Sequence, residues 1–332
     1  MDCSSSMRTN SPIMYLSWAA VIRAMGGFAL RLAGRTFAVQ SLLSAGPWWN
    51  MIAFVLLYHS HRILGPDYQS NDHVAFARDL CTIAETGCRI VSLSALVNLI
   101  GPKPLLGRIL RSRHRYVALT FDDGPEYDAV DFDHPIFGHQ RSFLGAMQDF
   151  RATREGHAQR SVCATSFVIA SPSARKIMET EFDPRETYLT EGSLSDDWWT
   201  PAIDSGMLSI ANHSWDHLHP GLPTVAHSRQ AKGDFREVDT EGDADAQITD
   251  AFRYILSRTA GRATPYFAYP FGHYNDFLVN EFLPKHQHHG MRAAFSIDGR
   301  AVDSTTNIWC IPRFTCGLDW RSPGELARIL AG

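Results

Sequence analysis

The chain has 332 residues, 45% of them hydrophobic and 20% charged, a composition that excludes a disordered chain, a collagen or a coiled coil. Its 31 basic and 35 acidic residues give a net charge of −4, the wrong sign for a nucleic-acid binder, which carries a basic excess. The charge is uneven: residues 1–50 hold four arginines, no lysine or histidine and one acid, Asp2, for +3, which leaves −7 for the rest.

In chain order, the first predicted element is a basic amphipathic helix over Ile13–Gly34. Arg23 and Arg31 interrupt it, so it lacks the ~20 uninterrupted apolar residues of a membrane span. At about 100° per residue, Arg23, Arg31 and Arg35 share one side, while Met14, Trp18, Val21, Met25 and Leu32 share the other. Such a segment suits peripheral membrane contact through residues 13–35, a targeting role, or packing on the body. Arg23 also breaks any secretory h-region, which favours a cytoplasmic or membrane-peripheral location over export. The expected organisation is a leader over 1–50 and one domain over 51–332.

From residue 51, apolar runs alternate with helical stretches. Strands are predicted at Met51–Tyr58, Arg89–Leu93, Tyr116–Phe121, Val162–Ala170, Leu208–Ala211, Tyr266–Tyr269, Met291–Ile297 and Ile308–Ile311. Helices are predicted at Asp72–Thr86, Ser94–Ile100, Phe143–Thr153, Asp197–Ser205, Asp243–Ala260 and Ser322–Leu330. Gly101–Pro104 reads as a loop, as do the polar insertions near 126–142 and 224–242. This alternation points to an α/β protein with a mostly parallel sheet, at this length a barrel. Cys3, Cys81, Cys88, Cys163, Cys310 and Cys316 form no CxxC pair and read as reduced thiols. Cys81 and Cys88, seven apart on one helix, stand ~10 Å apart, beyond disulfide reach.

Two motifs carry chemistry. Thr120-Phe-Asp-Asp-Gly-Pro125 follows a strand directly, and in parallel α/β proteins functional groups collect at strand carboxyl ends. Adjacent carboxylates on extended backbone point opposite ways, so one can bind a cation while the other handles a proton. The second motif is Asn212-His-Ser-Trp-Asp-His217. His213 and His217 are four apart, the separation that brings two imidazoles to one side of a helical turn. With one carboxylate they would make a two-histidine, one-carboxylate metal site that leaves positions open for water and substrate. His219 is a rival ligand.

TFDDGP followed by a strand ending in NHSWDH resembles the polysaccharide deacetylases, carbohydrate esterase family 4. Ala164–Ala170 (ATSFVIA) resembles the family's second barrel strand and Tyr266–Gly272 (YFAYPFG) its third motif, so the resemblance spans roughly residues 51–320. It implies a distorted (β/α)7-type barrel with one divalent metal at its rim, most often zinc, though cobalt, nickel or manganese would also suit such ligands. It implies hydrolysis of the N-acetyl amide of an amino sugar. Asp123, His213 and His217 would be the metal ligands and Asp122 the general base. The Phe271 N–H, after Pro270 and beside Tyr269, would serve the oxyanion.

The chain departs from the family pattern twice. An arginine usually lies two residues before the third-motif proline and holds the base; here that position is Ala268, and Arg313 is the expected substitute. The usual C-terminal general-acid histidine is also absent. Val55-Leu-Leu-Tyr-His-Ser60 instead resembles the circularly permuted deacetylases of exopolysaccharide N-acetylglucosamine, whose first strand supplies that residue, which implies His59 as the acid. Trp198, Trp199, Trp215 and Tyr274 are candidates for stacking on sugar rings, and Asp298 for contacting His217 or substrate. The histidine run Lys285–His289, like the histidines without an assigned role, reads as polar surface. Alternative readings are a deformylase or amidase for a small or lipid-linked amino sugar, and a non-catalytic carbohydrate-binding barrel.

Overall fold

The computed structural model describes residues 52–100, 115–181 and 187–332. The leader helix, Cys3 and the Gly101–Pro104 loop lie outside the described residues. The strands are β1 (Ala53–Tyr58), β2 (Arg89–Ile90), β3 (Tyr116–Phe121), β4 (Phe132–His134), β5 (Gly138–Gln140), β6 (Ala164–Val168), β7 (Leu208–Asn212), β8 (Tyr266–Ala268), β9 (Ala293–Phe295) and β10 (Phe314–Thr315). Eight of them form one curled parallel sheet in the order β10-β1-β3-β6-β7-β8-β9, with β2 beside the start of β3. The strands β1 and β6 are buried along their whole length, because helices cover the outer face of a parallel sheet and side chains fill the inner one.

The curl distorts where β9 meets β10. The expected strand Ile308–Ile311 makes only a single bridge, Ile311 to Phe295, closed by Ile311 N–H to the Ala294 carbonyl and Ser296 N–H to the Ile311 carbonyl, both at 2.8 Å. Pro312 follows at once and has no N–H to extend a ladder. The regular strand therefore begins at Phe314, where it pairs with Leu56 of β1. The first strand of the described chain thus stands between the last strand and β3.

The helix Asp72–Glu85 starts where the Asn71 side chain accepts from the His73 and Val74 N–H groups, and Ser322 caps the helix Pro323–Ala331 in the same way. The long helix expected over Asp243–Ala260 is interrupted by a π-turn at Asp245–Thr249, an irregularity that recurs at functional sites. Some elements escape the sequence reading, the following among them. The helix Pro172–Glu181 follows β6, and the insertion near 126–142 is ordered by the β4–β5 hairpin. No described helix is long and apolar enough to cross a membrane. Cys81, Cys88, Cys163, Cys310 and Cys316 are free thiols.

Candidate active site

The strands deliver their functional residues to one rim. β3 ends at Phe121, and Asp122 continues its ladder through an N–H bond of 3.3 Å to the Tyr58 carbonyl. Asp123 then turns into the left-handed region, φ 71°, with Gly124 at φ 72°. A Cβ on Gly124 would lie 2.5 Å from Val168 Cγ1, so only glycine fits beneath the turn. The two carboxylates part as a result.

Asp122 meets Arg313, which is fully buried. The guanidinium spans the carboxylate in two parallel bonds, Nη1 to Oδ1 at 2.6 Å and Nη2 to Oδ2 at 2.7 Å, while its Nε donates to the Ser296 carbonyl at 3.1 Å. Burial alone would raise the Asp122 pKa; Arg313 and His213 outweigh it and hold the acid below its ordinary value. Ala268 is buried in the core, and it contributes its carbonyl, which accepts from His213 Nδ1 at 2.9 Å.

That bond leaves the His213 Nε2 lone pair facing the site. His213 Nε2 and His217 Nε2 each stand 3.6 Å from Asp123 Oδ1, and the ligating atoms of the three residues lie within 4.8 Å of one another. The pair does not sit on a helical turn, contrary to the sequence expectation. Residues 213–219 form a loop in which Ser214, His217 and Leu218 all take positive φ. Hydrogen bonds hold this unusual path: Asn212 Oδ1 accepts from Ser214 N–H and Ser214 Oγ from His217 N–H, both at 2.9 Å. The π-turn braces it from behind, since Gln247 Nε2 donates to Asp216 at 2.7 Å and the Ile248 carbonyl accepts from Asn212 at 2.9 Å. Burial lowers the His217 pKa to about 3, so its ring is neutral, the form that binds metals. Burial pushes the Asp123 carboxyl up, but a hydrogen bond from His61 and the electrostatic pull of His61, His217 and His213 around it hold it well below normal. Two imidazoles and one carboxylate fit a divalent ion of the zinc type.

His59 leaves β1 with its Nε2 4.0 Å from Asp123 Oδ2 and a quarter of its side chain exposed. Burial lowers its pKa, against the opposing pull of Asp123. These residues line a cavity of about 240 Å³ that also holds His61, His219 and Phe271. His219 lies outside the three-ligand group. Phe271 takes φ 57° and sets its ring edge-on against His217, centroids 4.3 Å apart. Pro270 and Tyr269 are buried behind it. Tyr269 does not face the cavity: its hydroxyl donates to the Trp309 carbonyl at 2.8 Å, so any contact with substrate from this segment falls to Phe271.

Other sequence expectations fail for physical reasons. Trp198 and Trp199 are buried in the core, so neither offers an open face to a sugar, and Trp215 is half-buried against the same cluster. Asp298 accepts from Ser296 and Tyr274, and no contact with His217 is seen. His61, His73, His134, His227 and His289 are buried, so the unassigned histidines are not all polar surface. His286 and His288 do lie toward solvent, beside Glu241 and Asp245.

The residue missed by sequence reasoning is His61, whose Nε2 lies 2.8 Å from Asp123 Oδ2. The signal was present in His59-Ser-His61, because alternate residues leaving a strand share a side.

Residues 157–293 match the family profile for polysaccharide deacetylase. The matched stretch contains His213, His217 and Phe271 and leaves out His59, Asp122 and Asp123. No curated protein matches the chain by sequence. Solved structures share the fold. IcaB from Ammonifex degensii is 18% identical, with a TM-score of 0.52 over 84% of this chain and 97% of its own. The deacetylase PplD from Streptococcus pyogenes, in complex with acetate, is 14% identical, with a TM-score of 0.52 over 84% and 98%. A polysaccharide deacetylase from Bacillus cereus is 13% identical, with a TM-score of 0.52 over 85% and 69%. The profile spans the histidine loop, and in the curled sheet the first described strand stands between the last strand and β3. Over residues 157–293 the chain is thus similar in sequence to the polysaccharide deacetylases, and it shares the fold of solved members of that family.

Proposed function

We propose that the protein hydrolyses the N-acetyl amide of an amino sugar in a poly- or oligosaccharide, with Asp123, His213 and His217 holding one divalent ion, zinc first among the candidates. The observation that supports this reading is the meeting, in one cavity, of that ligand group with a clamped carboxylate and a partly exposed histidine. A divalent ion held there lowers the pKa of a coordinated water and polarises the amide carbonyl.

The protein's own groups do the rest. Asp122 is ionised at rest and takes the proton from the attacking water. Arg313 occupies the two carboxylate oxygens from one side, which fixes the plane of the base while leaving lone pairs for the proton. His59, on the exit of the neighbouring strand β1, protonates the departing amine; its exposed quarter gives it a route to solvent protons. Phe271 contributes its N–H to the oxyanion. Peripheral membrane contact through residues 13–35 is proposed as well, and it would favour the alternative substrate, a lipid-linked amino sugar.

The test is acetate release from N-acetylglucosamine oligomers by the full chain, before and after chelation and after zinc is restored. Release that stops with chelator and returns with zinc is the expected result. Release indifferent to chelator would overturn the metal-assisted reading, and binding of the oligomers without release would favour a non-catalytic barrel.

A further inference from the structure

We infer that His61 is a positioning residue for the metal site: it holds Asp123 so that a single carboxylate oxygen faces His213 and His217. This rests on the proposed ligand role of Asp123. The two oxygens of that carboxylate have different surroundings. Oδ1 stands 3.6 Å from both ligand imidazoles, the separation of atoms that share one ion at ~2.0–2.1 Å. Oδ2 points away and accepts from His61 Nε2 at 2.8 Å. A carboxylate only accepts, so this contact fixes a proton on His61 Nε2. A protonated nitrogen cannot ligate, which makes His61 a support for the ligand rather than a fourth ligand.

His61 is itself held. Its Nδ1 faces the Thr187 hydroxyl, and its carbonyl accepts from Tyr188 N–H at 2.7 Å. The ring is nearly buried, so it has little freedom to swing. The chain from Thr187 through His61 to Asp123 therefore carries the rigidity of a distant segment to the carboxylate. The Asp123 backbone sits in the left-handed region, a conformation that persists where surrounding contacts over-determine it, and the His61 bond is one of those contacts. Outer partners that orient a ligand in this way typically contribute a factor of about 10–100 in metal affinity.

The experiment measures zinc affinity of the full chain by chelator competition, together with the visible spectrum of the cobalt form. His61→Leu removes the donor. The expected result is zinc binding weakened by about 10- to 100-fold with the cobalt bands in place, since the ligand set is unchanged. His61→Gln keeps an N–H at similar reach and should recover most of the affinity, a rescue that loss of packing alone would not give. Thr187→Val, a milder change further out, should weaken binding by a smaller factor and serves if His61→Leu fails to fold. The inference is overturned if His61→Leu, or Thr187→Val in its place, binds zinc as tightly as the wild type. It is overturned also if His61→Gln is as weak as His61→Leu, or if the cobalt bands shift as they would on loss of a ligand. Failure of the wild type itself to bind zinc or cobalt would instead remove the metal reading on which the inference stands.

Discussion

Asp122 and Asp123 are neighbours in the chain, both are enclosed by protein, and both are held ionised, yet by opposite means. Asp122 faces an arginine, a cation that cannot lose its charge in a protein, in a planar two-bond clamp. Asp123 faces imidazoles, His61 on one oxygen and His213 and His217 on the other. Imidazoles can be neutral or charged and can turn a lone pair to a metal. One side of the cavity is thus electrostatically permanent and the other adjustable. A base that must be ready at every turnover belongs on the first side, and a ligand whose charge is shared with an arriving cation belongs on the second.

Substituting each aspartate should separate the two sides most strongly. Asp122→Asn is expected to reduce turnover by about 10³–10⁴, at the upper range for loss of a general base, with zinc affinity almost unchanged. Asp123→Asn should also abolish turnover under ordinary zinc, but through lost affinity, so that excess zinc restores part of it. Equal response of the two variants to added zinc would erase the distinction. His59→Gln, which removes no proposed ligand and leaves the Arg313 clamp in place, should retain full metal content and lose about 10²-fold or more in turnover. Steady-state kinetics alongside metal analysis checks all three.

Arg313 tests the permanent side from behind. Arg313→Leu would leave the Asp122 charge buried and unpaired, a change that costs about 3–5 kcal/mol in unfolding free energy. Arg313→Lys keeps the charge but not the fork, and a displaced base is expected to lower turnover by roughly 10- to 100-fold with a smaller loss of stability. Denaturant unfolding and kinetics on the same preparations distinguish them; Arg313→Lys with wild-type turnover would show that charge alone suffices.

The sequence made the parallel strands β1 to β3 and β6 to β9 visible because buried parallel strands are continuous apolar runs. It made Arg313 visible by arithmetic of a different sort, an arginine absent at Ala268 and present where another strand closes the ring. Three things were hidden. The last strand moved to Phe314–Thr315 because Pro312 breaks the apolar run. The His213–His217 spacing suggested a helical turn, while side-chain bonds from Asn212 and Ser214 hold a loop that no periodicity encodes. The burial of Trp198 and Trp199 depends on which helix covers which strand, and residue type alone does not decide that.

A third acid sharpens the contrast between the two sides. Asp128 is as buried as Asp122, but it is met only by hydroxyls, Ser60 Oγ at 2.6 Å and Ser166 Oγ at 2.5 Å. Without a facing cation, burial prevails and raises its pKa from 3.8 to about 7. The sign for stability follows. Below pH ~4 the acid is protonated whether the chain is folded or unfolded, and it contributes no pH dependence. Between about 4 and 7 the unfolded chain releases the proton while the folded one keeps it, so folding weakens as pH rises, by up to about 4 kcal/mol in all. Asp128→Asn imitates the protonated acid and lacks this loss. Its stability relative to the wild type is expected to increase from pH 5 to pH 8, measured by denaturant unfolding with chelator present so that metal linkage does not enter. If the two proteins lose stability in parallel over that range, hydroxyls alone are holding Asp128 ionised, and the Arg313 cation beside Asp122 would no longer be needed to explain why that acid stays charged.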